Sequence, residues 1–488
     1  MGAASPFLVR AARVAAAACA VAAVLLYVAV ALARIGYPFE LEWMEGASAD
    51  HVARVLQGRT LYPPPSLEFV PMNYPPLYSF VAAGVARVTG LGLFPLRLVS
   101  FLASLGGLAA LFVIARRETG TVQGGLLAMG LLAATYRLSG AWLDIARVDS
   151  LFLFLLLTAI ALAQGGDEAE QIAGGVCLAL AFMTKQSAVA AVPVMLVWLL
   201  PGRRRTAFVV TAVTASALVT LLLHRVYGDW YYYYVYELPA RHAWSARLGL
   251  SFVARDLLRP LPVACVLALV PAWLAWRRRG ANGPGDAVFL YALAIGCVGI
   301  SALARMQPGG WNNVLLPGYA ALALLFAVGA ERLARTPAGV WLAAACILQL
   351  LVLAYDPGKQ LPSARDRAAG DTLVTRLAAI RGDVWLPYHG YLATLAGKRS
   401  YAHIWGVDDV IDHDPRRGPA LRADVVDALR RRRFSAVVME SDMIETKSWL
   451  WTEVERDYRP GPAISADRSA LWPVTGMRTR PEQVYVAR

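Results

Sequence analysis

Three carboxylates, Glu40, Glu42 and Glu45, follow directly on the first long apolar run of the chain. Acidic groups held against a membrane face are costly to keep there, so they are candidates for chemistry unless the segment is an ordinary solvated loop. Glu45 opens a short amphipathic stretch, with Val52 and Leu56 on one face and Asp50, His51, Arg54 and Gln57 on the others, closed by Gly58. A helix start at that point favours the ionised form of Glu45. Glu40 and Glu42 precede it in a stretch read as extended, so their side chains point the same way and Glu42 is the supporting carboxylate. Further on, Asp149 stands beside Arg147 at the start of another apolar run; the arginine either orients the carboxylate, meets a phosphate, or forms only a local ion pair. Lys185 and Gln186 sit in AFMTKQSA between two apolar runs. A lysine so placed needs a counter-charge, from a lipid phosphate or from a loop carboxylate. Arg305, in ARMQPGGWNN, ends a later run and is followed by Asn312.

These residues are held by apolar runs long enough to cross a bilayer, for which roughly 20 residues are needed. The runs are 11–34, 96–115, 122–142, 149–165, 171–186, 187–201, 206–226, 254–276, 286–305, 312–332 and 338–355. Pro76–Gly90 is apolar but short, and Arg87 interrupts it. Basic clusters decide its place: Arg10/Arg13, Arg116/Arg117, Arg203–Arg205, Arg277–Arg279 and Arg332/Arg335 all fall on one side only if Pro76–Gly90 lies in the interface. The expectation is a mainly α, polytopic helical bundle of about eleven spans in the cell's inner membrane. Its N-terminus is cytoplasmic and its C-terminus external. The first external loop, 35–95, then shares the outer face with Asp144, Arg147, Asp149, Lys185, the 224–255 loop and the 305–313 segment.

Composition supports the class. The chain has 488 residues, 58% of them hydrophobic and 17% charged, with a mean hydropathy of +0.49. Its net charge of +13 is distributed in short inter-run clusters, and no groove-reading or aromatic RNA-binding motif accompanies it, so nucleic acid is not a partner. The five cysteines, Cys19, Cys177, Cys265, Cys297 and Cys346, lie inside apolar runs without CxxC spacing. The first run lacks a small-residue cleavage site and reads as a retained anchor. In the 224–255 loop the aromatics from Trp230 to Tyr236 read as interfacial anchors, or as a platform for a sugar ring or isoprenoid chain. Beyond Asp356 the sequence turns polar. Helices at Asp371–Ile380 and Leu421–Arg432 and strands at Asp383–Pro387 and Ser435–Glu440 predict a small external α/β domain over 357–488, following a membrane domain over 1–356. His389, His403 and His413 are too far apart in sequence to suggest a metal site and read as surface or packing residues.

Glu45 leading into HVARVLQGRTLY, then NYPPLY, Leu96-Arg97-Leu98, ARVDSLFLF, FMTKQSA and NNVLLPGYAALALL together resemble the protein O-mannosyltransferase and lipid A aminoarabinose transferase group. These are GT-C superfamily glycosyltransferases that use polyprenyl-phosphate sugars, and the resemblance covers residues 10–335. It implies a GT-C-like membrane domain with Glu45 as catalytic base, Asp149 as second catalytic carboxylate and Lys185 on the lipid phosphate. Candidate binding residues around them are Glu42, His51, Tyr74, Arg147, Gln186, Arg305 and Asn312. The implied reaction moves a sugar, with inversion, from a polyprenyl-phosphate donor to a glycan, lipid or protein acceptor on the outer face. Many members carry Asp-Glu where this chain has Glu45-Gly46. No metal ligand is assigned, and a divalent cation is left open. Two rivals are a transporter or flippase of lipid-linked sugars and a non-catalytic envelope assembly protein. A transporter would place ionisable groups in mid-span in repeated halves; here they gather at run ends.

Overall fold

The computed structural model describes residues 6–200, 205–277, 285–334, 338–441, 443, 447–463, 467 and 469–488. Arg203, Arg204, Arg278, Arg279 and Arg335, which belong to the basic clusters above, lie outside the described residues. The architecture is a bundle of apolar helices carrying a small C-terminal sheet domain.

Helix α1 (Pro6–Arg34) leads to α2 (Glu45–Leu56), α3 (Leu77–Thr89), α4 (Leu93–Thr119), α5 (Val122–Ala134), α6 (Asp149–Gly165) and α7 (Glu168–Thr184). Among the described residues, five helices are long and apolar enough to cross a membrane, or up to seven if each bent pair is one span. The helix Leu316–Leu333 is the hub, with every residue from Leu316 to Glu331 buried. Its glycines permit that packing: a Cβ on Gly329 would stand 2.1 Å from the Leu267 carbonyl oxygen.

Several expected spans are shorter or broken, for local reasons. The run 122–142 stays helical only to Ala134. Thr135 Oγ1 donates back to the Leu132 carbonyl at 2.7 Å, and Gly140 and Ala141 then take left-handed φ values of 74° and 55°. The run 187–201 starts as a 3₁₀ turn, Gln186–Ala191, before the helix Val192–Trp198. The run 254–276 breaks around Pro260 and Pro262 into arms at 96°. Helix α3 has 13 residues and so reaches only about 20 Å, short of the ~30 Å hydrocarbon core.

In the C-terminal domain the strands β1 (Val384–Trp385), β2 (Ala436–Glu440), β3 (Tyr458–Ala463) and β4 (Pro481–Ala487) form one sheet in the order β1-β2-β4-β3. β1 and β2 pair in parallel, and β4 runs antiparallel to both its neighbours. The helices Ala364–Ala379 and Gly418–Arg430 occupy the two expected helical stretches. The sheet domain grips the first loop. Trp43 is fully buried, with ring centres of Tyr388 and Trp405 each at 5.5 Å and of His403 at 5.4 Å. Thr475 donates its N–H to the Leu41 carbonyl at 3.1 Å. Gly46 is required where α2 meets this domain, since a Cβ there would stand 2.3 Å from Glu40 Oε1 and 2.7 Å from Tyr391 Cβ.

Candidate active site

The three loop carboxylates enter three different environments. Glu45 is fully buried and fully bonded. Its Oε1 accepts from Arg97 Nε at 2.9 Å and from the Ala146 N–H at 2.7 Å; its Oε2 accepts from Arg97 Nη2 at 2.5 Å and the Leu41 N–H at 2.6 Å. Burial alone would raise its pKa, but Arg97 and the two backbone N–H groups outweigh that and hold it below the ordinary carboxylate value. The same guanidinium donates to the carbonyls of Tyr37 and Phe39, so the pair pins the start of the first loop onto α4. The sequence placed Glu45 at a helix start and showed Arg97 only as part of a motif. It gave no sign that the two meet.

Glu42 and Glu40 do not point the same way. Glu40 turns to the Gly46 N–H at 2.9 Å and lies 4.0 Å from His389 Nε2. Burial pushes its pKa up to about 8, against the pull of His389. Glu42 turns instead towards Arg147. Its Oε2 accepts from the Met44 N–H at 3.2 Å and lies 3.5 Å from Arg147 Nη1. Burial raises Glu42 to about 7, and Arg147 limits the rise. The divergence follows from the turn at 42–45, where the Glu45 N–H bonds back to the Glu42 carbonyl at 3.0 Å.

From Glu42 a chain of alternating charge continues inward. Arg147 stands next to Asp149, whose Oδ1 accepts from Lys185 Nζ at 2.6 Å and from Asn313 Nδ2 at 3.0 Å. Tyr74 borders both cations: it lies beside Arg147, and its ring centre is 5.8 Å from Lys185 Nζ. Asp149, Lys185 and Asn313 line a narrow cavity with Phe152, Ser187 and Pro317. Among the described residues, the buried atoms without a hydrogen-bond partner include three of this charge network: Glu42 Oε1, Arg147 Nη1 and Asp149 Oδ2. Arg147 Nη1 has only the ion-pair contact with Glu42, so all three atoms keep hydrogen-bonding capacity for a ligand or water.

The other candidates are placed as follows. Gln186 donates to the carbonyls of Asn73 and Val235, both at 2.8 Å, and so braces the site's wall. His51 is buried; its Nδ1 donates to the Ala47 carbonyl at 2.7 Å and its Nε2 accepts the Met72 N–H at 3.0 Å. Burial lowers its pKa to about 4, and it holds α2 to the Pro-rich segment outside the cluster. Arg305 is bonded to Asp256 at 3.0 Å and to the Gly310 carbonyl at 2.8 Å, not to the Lys185 cavity. Asn312 lies against Gly140, and its neighbour Asn313 is the residue on Asp149. The two asparagines open one 3₁₀ turn, Asn312–Leu315, so a single residue decides which reaches inward.

One of the three histidines departs from the sequence reading. His413, read as a surface or packing residue, joins His242 and Asp409 in a set whose ligand atoms lie within 4.8 Å of one another. His242 Nε2 is 2.7 Å and His413 Nδ1 3.2 Å from Asp409 Oδ1. Burial works to raise Asp409, but the two imidazoles outweigh it and hold it down to about 2. His242 comes from the 224–255 loop and the other two from the sheet domain, a separation of 167 residues that no spacing motif could reveal. Two histidines and one carboxylate suit a divalent transition metal. The other two fit the reading as packing residues: His389 is buried and bonds Glu440 Oε1 at 2.6 Å, and buried His403 packs on Trp43 with its pKa lowered by burial to about 3.

Comparison with known proteins agrees with this architecture. The dolichyl-phosphate-mannose-protein mannosyltransferase family matches residues 73–230. No protein with a curated description matches the chain. Among solved structures, ArnT from Cupriavidus metallidurans bound to undecaprenyl phosphate is similar with a TM-score of 0.56 at 14% identity, over 95% of this chain and 97% of that one. The oligosaccharyltransferase AglB from Archaeoglobus fulgidus, in complex with an inhibitory peptide and a dolichol-phosphate, gives a TM-score of 0.54 at 12% identity, over 91% of this chain and 72% of that one. In fold over nearly its whole length, and in sequence over residues 73–230, the chain resembles the GT-C membrane glycosyltransferases of the protein O-mannosyltransferase and ArnT type.

Proposed function

We propose that the protein is an inverting glycosyltransferase that moves a sugar from a polyprenyl-phosphate donor to an acceptor hydroxyl on the outer face of the inner membrane. The observation that carries this reading is the buried Glu42–Arg147–Asp149–Lys185 chain with its three unpartnered polar atoms. What supports the donor class is that ArnT and AglB, which share the fold, were solved with undecaprenyl phosphate and dolichol-phosphate.

The roles follow from the bonding. Glu45 has no free lone pair directed at a substrate and acts as a structural anchor for Arg97 and the loop. The base role passes to Glu42, which has an unbonded oxygen and a pKa raised to about 7, near the value at which a general base works best. Glu42 takes the proton of the acceptor hydroxyl as its oxygen attacks the anomeric carbon from the face opposite the phosphate. The bond from that carbon to the phosphate oxygen breaks, and its electron pair stays on the phosphate. Lys185, set by Asp149 and Asn313, and Arg147 stabilise that growing charge. The sugar is inverted in the one displacement. The acceptor is a glycan, lipid or protein hydroxyl. A divalent cation at His242, Asp409 and His413 would tie the 224–255 loop to the sheet domain, with no part in the transfer itself.

Native mass spectrometry of the purified protein with undecaprenyl phosphate tests the donor half. A one-to-one complex that Lys185→Ala weakens strongly is the expected outcome. Equal binding by the two proteins would remove Lys185 from the phosphate site.

A further inference from the structure

The C-terminal domain holds a second cavity, of about 330 Å³, at the end of its sheet. Its origin is a double irregularity. The β2–β4 pairing shifts register between Met439 and Glu440, and the β3–β4 pairing shifts between Pro460 and Ala463. Both shifts flank Gln483, which still pairs with Met439 and Ala463, and Trp451, from the helix Ser448–Asp457, lines the cavity beside it. The volume falls at the lower end of the roughly 300–1,000 Å³ typical of small-molecule sites.

The wall has a definite chemistry. Trp451 lines the cavity half-buried and is fixed edge-on to Tyr485 at 5.6 Å and 76°. Glu482, whose side chain is 40% exposed, and Ser441 add oxygen acceptors. Gln483 uses its amide nitrogen on the carbonyls of Gly461 at 2.6 Å and Val484 at 3.1 Å, leaving Oε1 as an acceptor. Among the described residues, Arg480 is the one cation lining the cavity, and it is already engaged. Its Nη1 donates to the carbonyls of Asp467 at 3.0 Å and Ala470 at 2.8 Å, and its Nη2 lies 3.7 Å from Glu482 Oε1. An anionic ligand would meet Glu482 there, which disfavours phosphate or carboxylate. A ligand that donates several hydroxyl hydrogens and offers an apolar ring face fits all of these groups at once. We infer that this cavity is a saccharide subsite of the C-terminal domain, taking one neutral sugar unit of the acceptor.

The cavity is also connected to the membrane site. Glu440 lines it, and the same carboxylate accepts from the His389 ring at 2.6 Å and from the Tyr388 N–H at 2.9 Å. His389 in turn faces Glu40 of the first loop at 4.0 Å. A sugar held here is therefore gripped by the domain that clamps the loop bearing Glu42. The binding of a saccharide stands by itself; its description as part of the acceptor rests on the proposed transferase reaction.

The test uses the full-length protein in a zwitterionic detergent without a sugar headgroup. The probes are the methyl glycosides of glucose, mannose, galactose, N-acetylglucosamine and arabinose, observed by saturation-transfer NMR. At least one glycoside should bind, and its Kd should rise about tenfold or more in both Trp451→Ala and Glu482→Gln. Glu482 is at the rim, so its substitution reports on the site without threatening the fold. No binding by any glycoside, or binding that survives both substitutions, overturns the subsite. Undecaprenyl phosphate binding, measured on the same samples, should be unchanged. Its absence in the wild-type protein would count against the transferase reading and not against the subsite.

Discussion

Replacing Glu42 by glutamine keeps the size of the side chain and removes its basicity. The carboxylate is fully buried, 3.5 Å from Arg147 Nη1, with Oε1 unbonded. A general base contributes roughly 10²- to 10⁴-fold to rate, about 3–5 kcal/mol of barrier, so turnover of Glu42→Gln should fall by that factor. The pH profile sharpens the test. Burial lifts Glu42 from the ordinary carboxylate value to about 7, and the deprotonated form is the active one. The kcat/KM of the wild-type enzyme should therefore rise with pH up to about 7, losing roughly tenfold per unit below it. Glu42→Gln should lose this limb, while Glu42→Asp retains it at lower rate. The assay follows release of polyprenyl phosphate from a lipid-linked sugar in the presence of an outer-envelope extract as acceptor. Wild-type turnover in Glu42→Gln, or an unchanged acidic limb, would refute the assignment.

Three further outcomes follow from the same geometry. Lys185→Arg should keep more undecaprenyl phosphate binding than Lys185→Gln, because the bond to a point-like charge depends on the cation; losing a charged hydrogen bond costs about 1.5–3 kcal/mol, roughly 10- to 100-fold in Kd by native mass spectrometry. Arg97→Met strands the buried Glu45 carboxylate, so thermal unfolding in detergent should show a loss of about 3–5 kcal/mol, and adding Glu45→Leu should restore part of it. Metal analysis of the purified protein should find one divalent transition-metal ion per chain, lost in His413→Ala, with limited proteolysis at the 224–255 loop increasing when the metal is chelated.

The membrane bundle was legible because hydropathy is a property of local sequence. So were the helix and strand at 418–440, where the period of the pattern changes cleanly. The carboxylates, Lys185 and Asp149 were legible as residue types that have no reason to stand beside apolar runs. Their pairing was not. Glu45 and Glu42 differ by three residues in a tight turn, and what separates their environments is Arg97, 52 positions away from Glu45. Asn313 and Asn312 differ only in the phase of a short 3₁₀ turn. His242 meets Asp409 and His413 across 167 residues or more, through tertiary packing that no local pattern encodes. Where helices broke early, as at Thr135, side chains bonded back to the helix end and left-handed residues followed, effects that hydropathy averages out.

The central claim, sugar transfer from a polyprenyl-phosphate donor with Glu42 as base, is tested most directly in cells whose only copy of the protein carries Glu42→Gln. Mass spectrometry of their lipids and envelope glycans should show a sugar-linked polyprenyl phosphate accumulating and one glycan losing the mass of that same sugar. Lipid and glycan profiles identical to those of wild-type cells, with the variant present in the membrane at normal level, would contradict the account.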